Sequence, residues 1–354
     1  MRKIQTTQRK KVNEADIDLE IICQAGRIIR EGGLVAFPTE TVYGLGADAL
    51  DAKASRNIYK AKGRPSDNPL IIHICCMEDM EKIVVQVPQK ARILADKFWP
   101  GPLTMILHKN EKVPYETTGG LETVAIRMPS NKIALALIRE GGGYIAAPSA
   151  NTSGRPSPTL AEHVYEDLKG KIPLILDGGE VGIGIESTII DLTETVPIVL
   201  RPGYITLEML AEAIGEVRMD PGIVAESCDL KPKAPGMKYK HYAPKADMVI
   251  VDGDQELVTA KINELVRKAI EKGKKVGILA AQETACCYEQ GMILSIGERQ
   301  EEQIIARNLY KTLRTFDESG VDIIYSESFL TPRMGHAIMN RLLKAAGHQV
   351  IKVI

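Results

Sequence analysis

The sequence is poor in aromatic residues, nearly neutral and free of long apolar runs, and each shortage removes a class of function. Phe, Trp and Tyr make up 5% of the 354 residues, too few for the stacking faces that single-strand nucleic-acid binders spread along a basic groove. A formal net charge of −1 argues against duplex nucleic acid or an anionic membrane as a bulk electrostatic partner, so any anion site must be local. No window approaches the roughly 18–20 apolar residues of a membrane span. The opening MRKIQTTQRKKVNEAD is basic but has no apolar signal core, and the expectation is a cytoplasmic chain with no membrane partner. The six cysteines, Cys23, Cys75, Cys76, Cys228, Cys286 and Cys287, are two adjacent pairs and two singles. They lack the C-x-x-C spacing of structural zinc, so reduced packing thiols and no protein-side metal ligands are expected.

What is present is a globular composition, 44% hydrophobic and 26% charged, long enough for two domains. The stretch KGRPSDNPLIIH, Lys62 to His73, sets two cations in a loop broken by Gly63, Pro65 and Pro69, then runs through Asn68 into an apolar strand holding His73. Two cations held by such a loop suit polyphosphate; a solvated basic turn reads equally well from these residues alone. Upstream, Ile17, Ile21, Ile22, Ile28 and Ile29 mark a helix face closed by Gly32-Gly33. A strand at Leu34 to Phe37 breaks into the hydroxyl-rich loop FPTETVYGLG, whose Thr39 and free backbone N–H groups suit a small polar ligand.

Downstream, Asp51 to Lys60 and residues 78–98 read as helices, and Trp99, the one tryptophan, reads as a core plug beneath a rigid turn. Strands at Leu103 to Leu107 and Thr123 to Met128 follow, the second carrying Arg127 between apolar neighbours. Such an arginine pairs either a buried carboxylate of the protein or a ligand carboxylate. A small-residue strand then opens into APSANTSGRPSP, and GIGIES leads into another strand at Ser187 to Ile190. GIGIES is no dinucleotide fingerprint, since it lacks the third glycine and precedes a strand. Val196 to Leu200 ends at Arg201.

In that order, FPTETVYGLG, KGRPSDNPLIIH, WPGPLT, AIRMPS, APSAN, GIEST and LRPG resemble the threonylcarbamoyl-adenylate synthase family, whose core is the YrdC-type domain. APGMKYKHYAP at 234–244 is similar to the linker of its longer members. The resemblance implies a polar tail over 1–16, a YrdC-type α/β catalytic domain with a twisted mixed sheet over 17–211, and a linker covering the active site over 212–245. Beyond it, alternating strands and helices over 246–354 read as a smaller, doubly wound parallel-sheet domain of Rossmann-like type. The implied reaction converts threonine, bicarbonate and ATP to threonylcarbamoyl-AMP and pyrophosphate, with Mg2+ accompanying ATP. The product passes to a tRNA threonylcarbamoyl transferase for modification of the adenosine next to the anticodon, and the resemblance admits a weak contact with tRNA itself.

Carried onto this sequence, the resemblance assigns Thr39, His73, Arg127, Ala147 and Ser187 to threonine. It assigns Lys62, Arg64, Asn68, Thr123, Ser149, Asn151, Ser157, Arg201, His241 and Tyr242 to ATP, with Lys62, Arg64, Ser149 and Asn151 the catalytic set. An attack by carbamate oxygen on the α-phosphate needs positioning, charge neutralisation and exclusion of water rather than an enzyme nucleophile. The competing reading is an RNA-binding or ribosome-associated module in which Lys62, Arg64 and Arg201 line a basic concavity. Carbamoyl transfer as in hydrogenase maturation is a third, weakened by the missing zinc-type cysteine spacings.

Overall fold

The computed structural model describes residues 6–223 and 241–354. The chain forms two compact units. The first takes the described residues up to Ser153, Ser157–Gly182 and Glu186 onward to 223; the second takes Gly154–Pro156, Ile183–Ile185 and the described residues from His241. Of the linker expected over 212–245, residues 212–214 end a helix that begins at Leu207, and Arg218–Met219 is a strand paired with Ile198–Val199; Lys231, Pro232, Lys233, Pro235, Met237, Lys238, Tyr239 and Lys240, with Cys228, lie outside the described residues.

The first unit is built on eleven strands: β1 Gln8–Lys11, β2 Val35–Phe37, β3 Gly44–Asp48, β4 Ile71–His73, β5 Leu103–His108, β6 Thr123–Arg127, β7 Ile145–Ala146, β8 Leu174–Asp177, β9 Thr188–Asp191, β10 Ile198–Arg201 and β11 Arg218–Met219. They hydrogen-bond in the order β1-β8-β2-β3-β7-β4-β6-β5-β9-β10-β11, with parallel and antiparallel pairs mixed. The helices are α1 Leu19–Arg30, α2 Ala52–Lys62, α3 Met77–Glu81, α4 Gln89–Phe98, α5 Tyr115–Thr118, α6 Lys132–Glu140, α7 Ala161–Leu168 and α8 Leu207–Ile214.

Local chemistry sets the ends of these elements. Asp18 caps α1 by accepting from the Glu20 and Ile21 amides, and Arg27 and Arg30 lie in the last turn, where cations complement the helix dipole. The helix lays Ile22, Ala25 and Ile29 against Val35, Phe37 and Leu174, in a core shared with Ile133 and Leu137 of α6. On the other face Ala36, Leu45, Ile72, Met105 and Ile126 join the largest apolar cluster. Trp99 is in that cluster, its indole donating to the Leu103 carbonyl at 2.7 Å, the plug expected of it.

Two expectations need correction. The polar tail over 1–16 contains β1, which pairs parallel with β8 from Gln8↔Leu174 to Lys11↔Asp177. Its QRKK side chains show no apolar alternation because an edge strand bonded on one side can leave both faces wet. Lys62 is the last residue of α2 rather than part of a loop: Gly63, with φ 65°, supplies the left-handed cap only after it.

The second unit bears out the doubly wound reading. Strands β12 Asp247–Asp252, β13 Val276–Ala280, β14 Met292–Ser295, β15 Ile323–Glu327 and β16 Val350–Lys352 form a sheet of order β14-β13-β15-β12-β16 with every pairing parallel. Its helices are α9 Gln255–Glu271, α10 Glu302–Ser319 and α11 Gly335–Ala345. Val258, Ile262 and Val266 form the buried stripe of α9, at the i, i+4, i+8 spacing that one helix face requires.

Candidate functional site

Strand register lines up polar side chains from distant parts of the chain in one row, interrupted by the apolar Ile189. His73 on β4 pairs with Arg127 on β6, Arg127 with Thr104 on β5, Thr104 with Ile189 on β9, and Ile189 with Arg201 on β10. Partnered residues on neighbouring strands point to the same face, so these positions form a line across five strands about 4.8 Å apart. Two residues back along the same strands, Ile71, Ala125 and Ile106 belong to a small apolar cluster, which gives the row a dry floor.

Arg127 and His73 are both buried. Burial, and next the charge of Arg127, hold the His73 pKa down at about 3, so the imidazole is neutral at physiological pH and Nδ1 lies 3.2 Å from the Ile71 carbonyl oxygen. The arginine itself meets Glu40, with Nη2 2.6 Å from Oε1. Of the two partners the sequence leaves open for it, the protein carboxylate is therefore present. At the other end of the row the Thr104 and Ser187 hydroxyls are 2.7 Å apart. Arg201 donates from Nε to the Ser187 carbonyl at 3.0 Å and from Nη2 to its hydroxyl at 3.1 Å.

Thr39 lies in the loop after β2, where its hydroxyl donates to the Val42 carbonyl at 2.7 Å and accepts from the Thr41 and Val42 amides. These bonds fold the loop that carries Glu40. Ala147 donates its amide to the Ile71 carbonyl at 2.9 Å and offers no side chain beyond a methyl.

A second group gathers at the end of α2. The Lys62 ammonium donates to the Ser149 and Asn151 carbonyls and lies 3.4 Å from Asn151 Oδ1. Ser149 donates to that same Oδ1 at 2.5 Å. Arg64 is folded back on its own loop, donating from Nη2 to Asn68 Oδ1 at 2.6 Å and from Nε to the Asn68 carbonyl at 3.1 Å. Ser157 donates to Glu186 Oε1 at 2.5 Å.

The structure thus brings together Lys62, Ser149 and Asn151, then Arg64 with Asn68, then His73 with Arg127, and Ser187 with Arg201. Thr123 stands at the opposite end of β6 from Arg127, four residues and so roughly 13 Å away. His241 and Tyr242 belong to the second unit, where the Tyr242 ring lies 5.3 Å from that of Tyr310. Sequence reasoning missed Glu40, Thr104 and Glu186. Glu40 stands inside FPTETVYGLG, and its charge amid hydroxyls is the available signal.

Comparison with known proteins decides the family. Residues 27–203 match the family model described as telomere recombination, which groups Sua5, YciO and YrdC, and residues 205–347 match the threonylcarbamoyl-AMP synthase C-terminal domain. The threonylcarbamoyl-AMP synthase of Pyrococcus abyssi is 54% identical over 93% of this chain and 95% of its own, and that of Bacillus subtilis 50% identical over 94% of each. The chain belongs to the threonylcarbamoyl-AMP synthase family. It is accordingly an enzyme of the nucleotidyltransferase type. The P. abyssi Sua5 structure complexed with L-threonine superposes with a TM-score of 0.93 at 51% identity, covering 98% of this chain and 100% of that one.

The reading as an RNA-binding module finds no support. Lys62, Arg64 and Arg201 are only 2%, 8% and 5% exposed, so they do not line an open basic concavity.

Proposed function

We infer that the row around Arg127 is the amino-acid half of a synthase site, and that the residues near Lys62 are its nucleotide half. The family reaction joins threonine, bicarbonate and ATP into threonylcarbamoyl-AMP, releasing pyrophosphate and water. Threonine nitrogen first takes up the carboxyl group as a carbamate. A carbamate oxygen then attacks the α-phosphorus, and the bond to the β,γ-pyrophosphate breaks.

The observation that carries this reading is the buried Arg127 beside a neutral His73, on an apolar floor. A guanidinium in such a setting recognises a carboxylate through paired N–H donors, and neutral imidazole adds no competing charge. Ser187 and Ala147 border this position along the chain and sheet, and with Thr39 they complete the threonine assignment. Lys62, Arg64, Asn68, Ser149, Asn151, Ser157 and Arg201 offer cations, two amides and hydroxyls for triphosphate. Thr123, His241 and Tyr242 keep the ATP role the resemblance implies, and the linker keeps that of a cover over the site.

Magnesium is proposed to enter with the nucleotide. Among the described residues the one close cluster of potential ligands is Cys75, Cys76 and Asp79, a thiol-rich set unsuited to a hard cation that prefers oxygen. The ion would therefore be held by phosphate and water. The activated product is labile and suits direct use by a tRNA threonylcarbamoyl transferase.

Pyrophosphate release tests the reading. It should require ATP, threonine and bicarbonate together, and release that continues with threonine or bicarbonate omitted would overturn it.

A further inference from the structure

Glu40 and Arg127 form the one ion pair Arg127 makes among the described residues. Both side chains are enclosed, Arg127 5% and Glu40 13% exposed. The contact is close but poorly directed: neither Glu40 oxygen, nor Arg127 Nε or Nη2, makes an aligned hydrogen bond. A buried arginine needs a counter-charge, and Glu40 supplies it without using the donor fork of the guanidinium. An arriving carboxylate that engages the fork bidentately gains the alignment the internal pair lacks.

That exchange has a charge problem. A simple carboxylate on Arg127 would share one cation with Glu40, leaving two anions against a single positive charge in a dry site, which is costly. A zwitterionic amino acid removes the problem because it brings its own ammonium. Its carboxylate takes Arg127 and its ammonium meets Glu40, so one internal pair becomes two pairs with no net charge buried. His73, held neutral, leaves this count unchanged.

We propose that Glu40 is a specificity-determining residue: it holds Arg127 in the empty site, then receives the substrate ammonium, so that the site admits a free α-amino acid and rejects a bare carboxylate. The proposal rests on the reading that this site binds threonine. Nothing in it requires Glu40 to take part in the phosphoryl step.

Calorimetric binding of threonine and of 3-hydroxybutyrate, its analogue without the amino group, tests it on the full chain. In the wild type, threonine should bind at least about 100-fold more tightly, near 2.7 kcal/mol. In Glu40→Gln the ratio should fall at least tenfold, with 3-hydroxybutyrate gaining affinity and the KM for ATP unmoved. An unchanged ratio in a folded Glu40→Gln protein would overturn the proposal. If that variant does not fold, Glu40→Asp decides: retracting the carboxylate by one methylene should lower the ratio threefold or more, and an unchanged ratio is again fatal. A wild type that binds neither ligand overturns the functional reading itself, whereas one that binds both alike overturns only the role of Glu40.

Discussion

Lys62 closes helix α2 by driving its ammonium onto the backbone carbonyls of Ser149 and Asn151. The lysine therefore fixes the shape of the loop it is proposed to share with ATP. Replacing it by methionine keeps much of the stem but leaves buried carbonyls without their donor, at a cost of about 1–3 kcal/mol. Lys62→Met should melt several degrees lower and lose about 100-fold in turnover, the scale expected when an electrostatic donor to a transition state is removed. ATP affinity should fall while threonine affinity stays within about twofold by calorimetry. Equal losses for both ligands would make Lys62 a structural tie alone.

Arg127→Lys separates charge from geometry. Lysine still neutralises Glu40, but it cannot offer two parallel donors to a carboxylate. The KM for threonine should rise about tenfold or more with that for ATP nearly constant, measured by pyrophosphate release. A matched rise in both constants would remove the amino-acid assignment.

The second unit was the more legible in sequence, and the reason is physical. Its strands are continuous apolar runs such as VGILA at 276–280, separated by helices with a regular buried stripe, so each element announces itself. In the first unit the site-bearing loops are legible because glycine, proline and hydroxyl clusters mark them, and several strands and helices are legible between them. Helix α6 is absent from the sequence reading although Asn131 caps it and Ile133, Ala134, Leu137 and Ile138 form its buried face. Strand β1 had no apolar signal to read. The pair of Glu40 and Arg127 could not be read at all, because 87 positions separate the two and only the register of β4, β6 and the neighbouring strands brings their ends together.

His73 makes a pH prediction. Unfolded, its imidazole takes up a proton near pH 6.5, whereas in the folded protein it stays neutral down to about 3. Between those values the unfolded chain holds one more proton, so acid favours unfolding. The depressed group costs nothing above pH 6.5 and up to about 1.4 kcal/mol per pH unit below it. His73→Asn should remove one proton from the pH slope of stability between pH 6 and 4. Trp99 fluorescence in urea reads this directly, because the one tryptophan lies in the same unit. Identical slopes in variant and wild type would mean that the imidazole is protonated in the fold.

Glu327 offers the corresponding test in the second unit. It is 1% exposed at the end of β15 and accepts from Thr284, from the Tyr288 hydroxyl at 2.6 Å and from Arg299. Arg299 also donates to the Ser328 carbonyl at 2.9 Å, so one carboxylate ties the segments that follow β13, β14 and β15. Removing it by Glu327→Ala takes the carboxylate acceptor from two buried hydroxyls and leaves Arg299 without its ion-pair partner, which should cost about 3–5 kcal/mol. Glu327→Gln keeps an acceptor oxygen and should cost less, about 1–3 kcal/mol. Unfolding followed by far-UV circular dichroism reports both units, whereas Trp99 fluorescence reports the first alone. The alanine variant should therefore show an early transition in circular dichroism that the fluorescence does not share. A shift of the fluorescence transition by the same amount would show that Glu327 stabilises the whole chain, and no shift in either probe would show that the buried network contributes nothing net to stability.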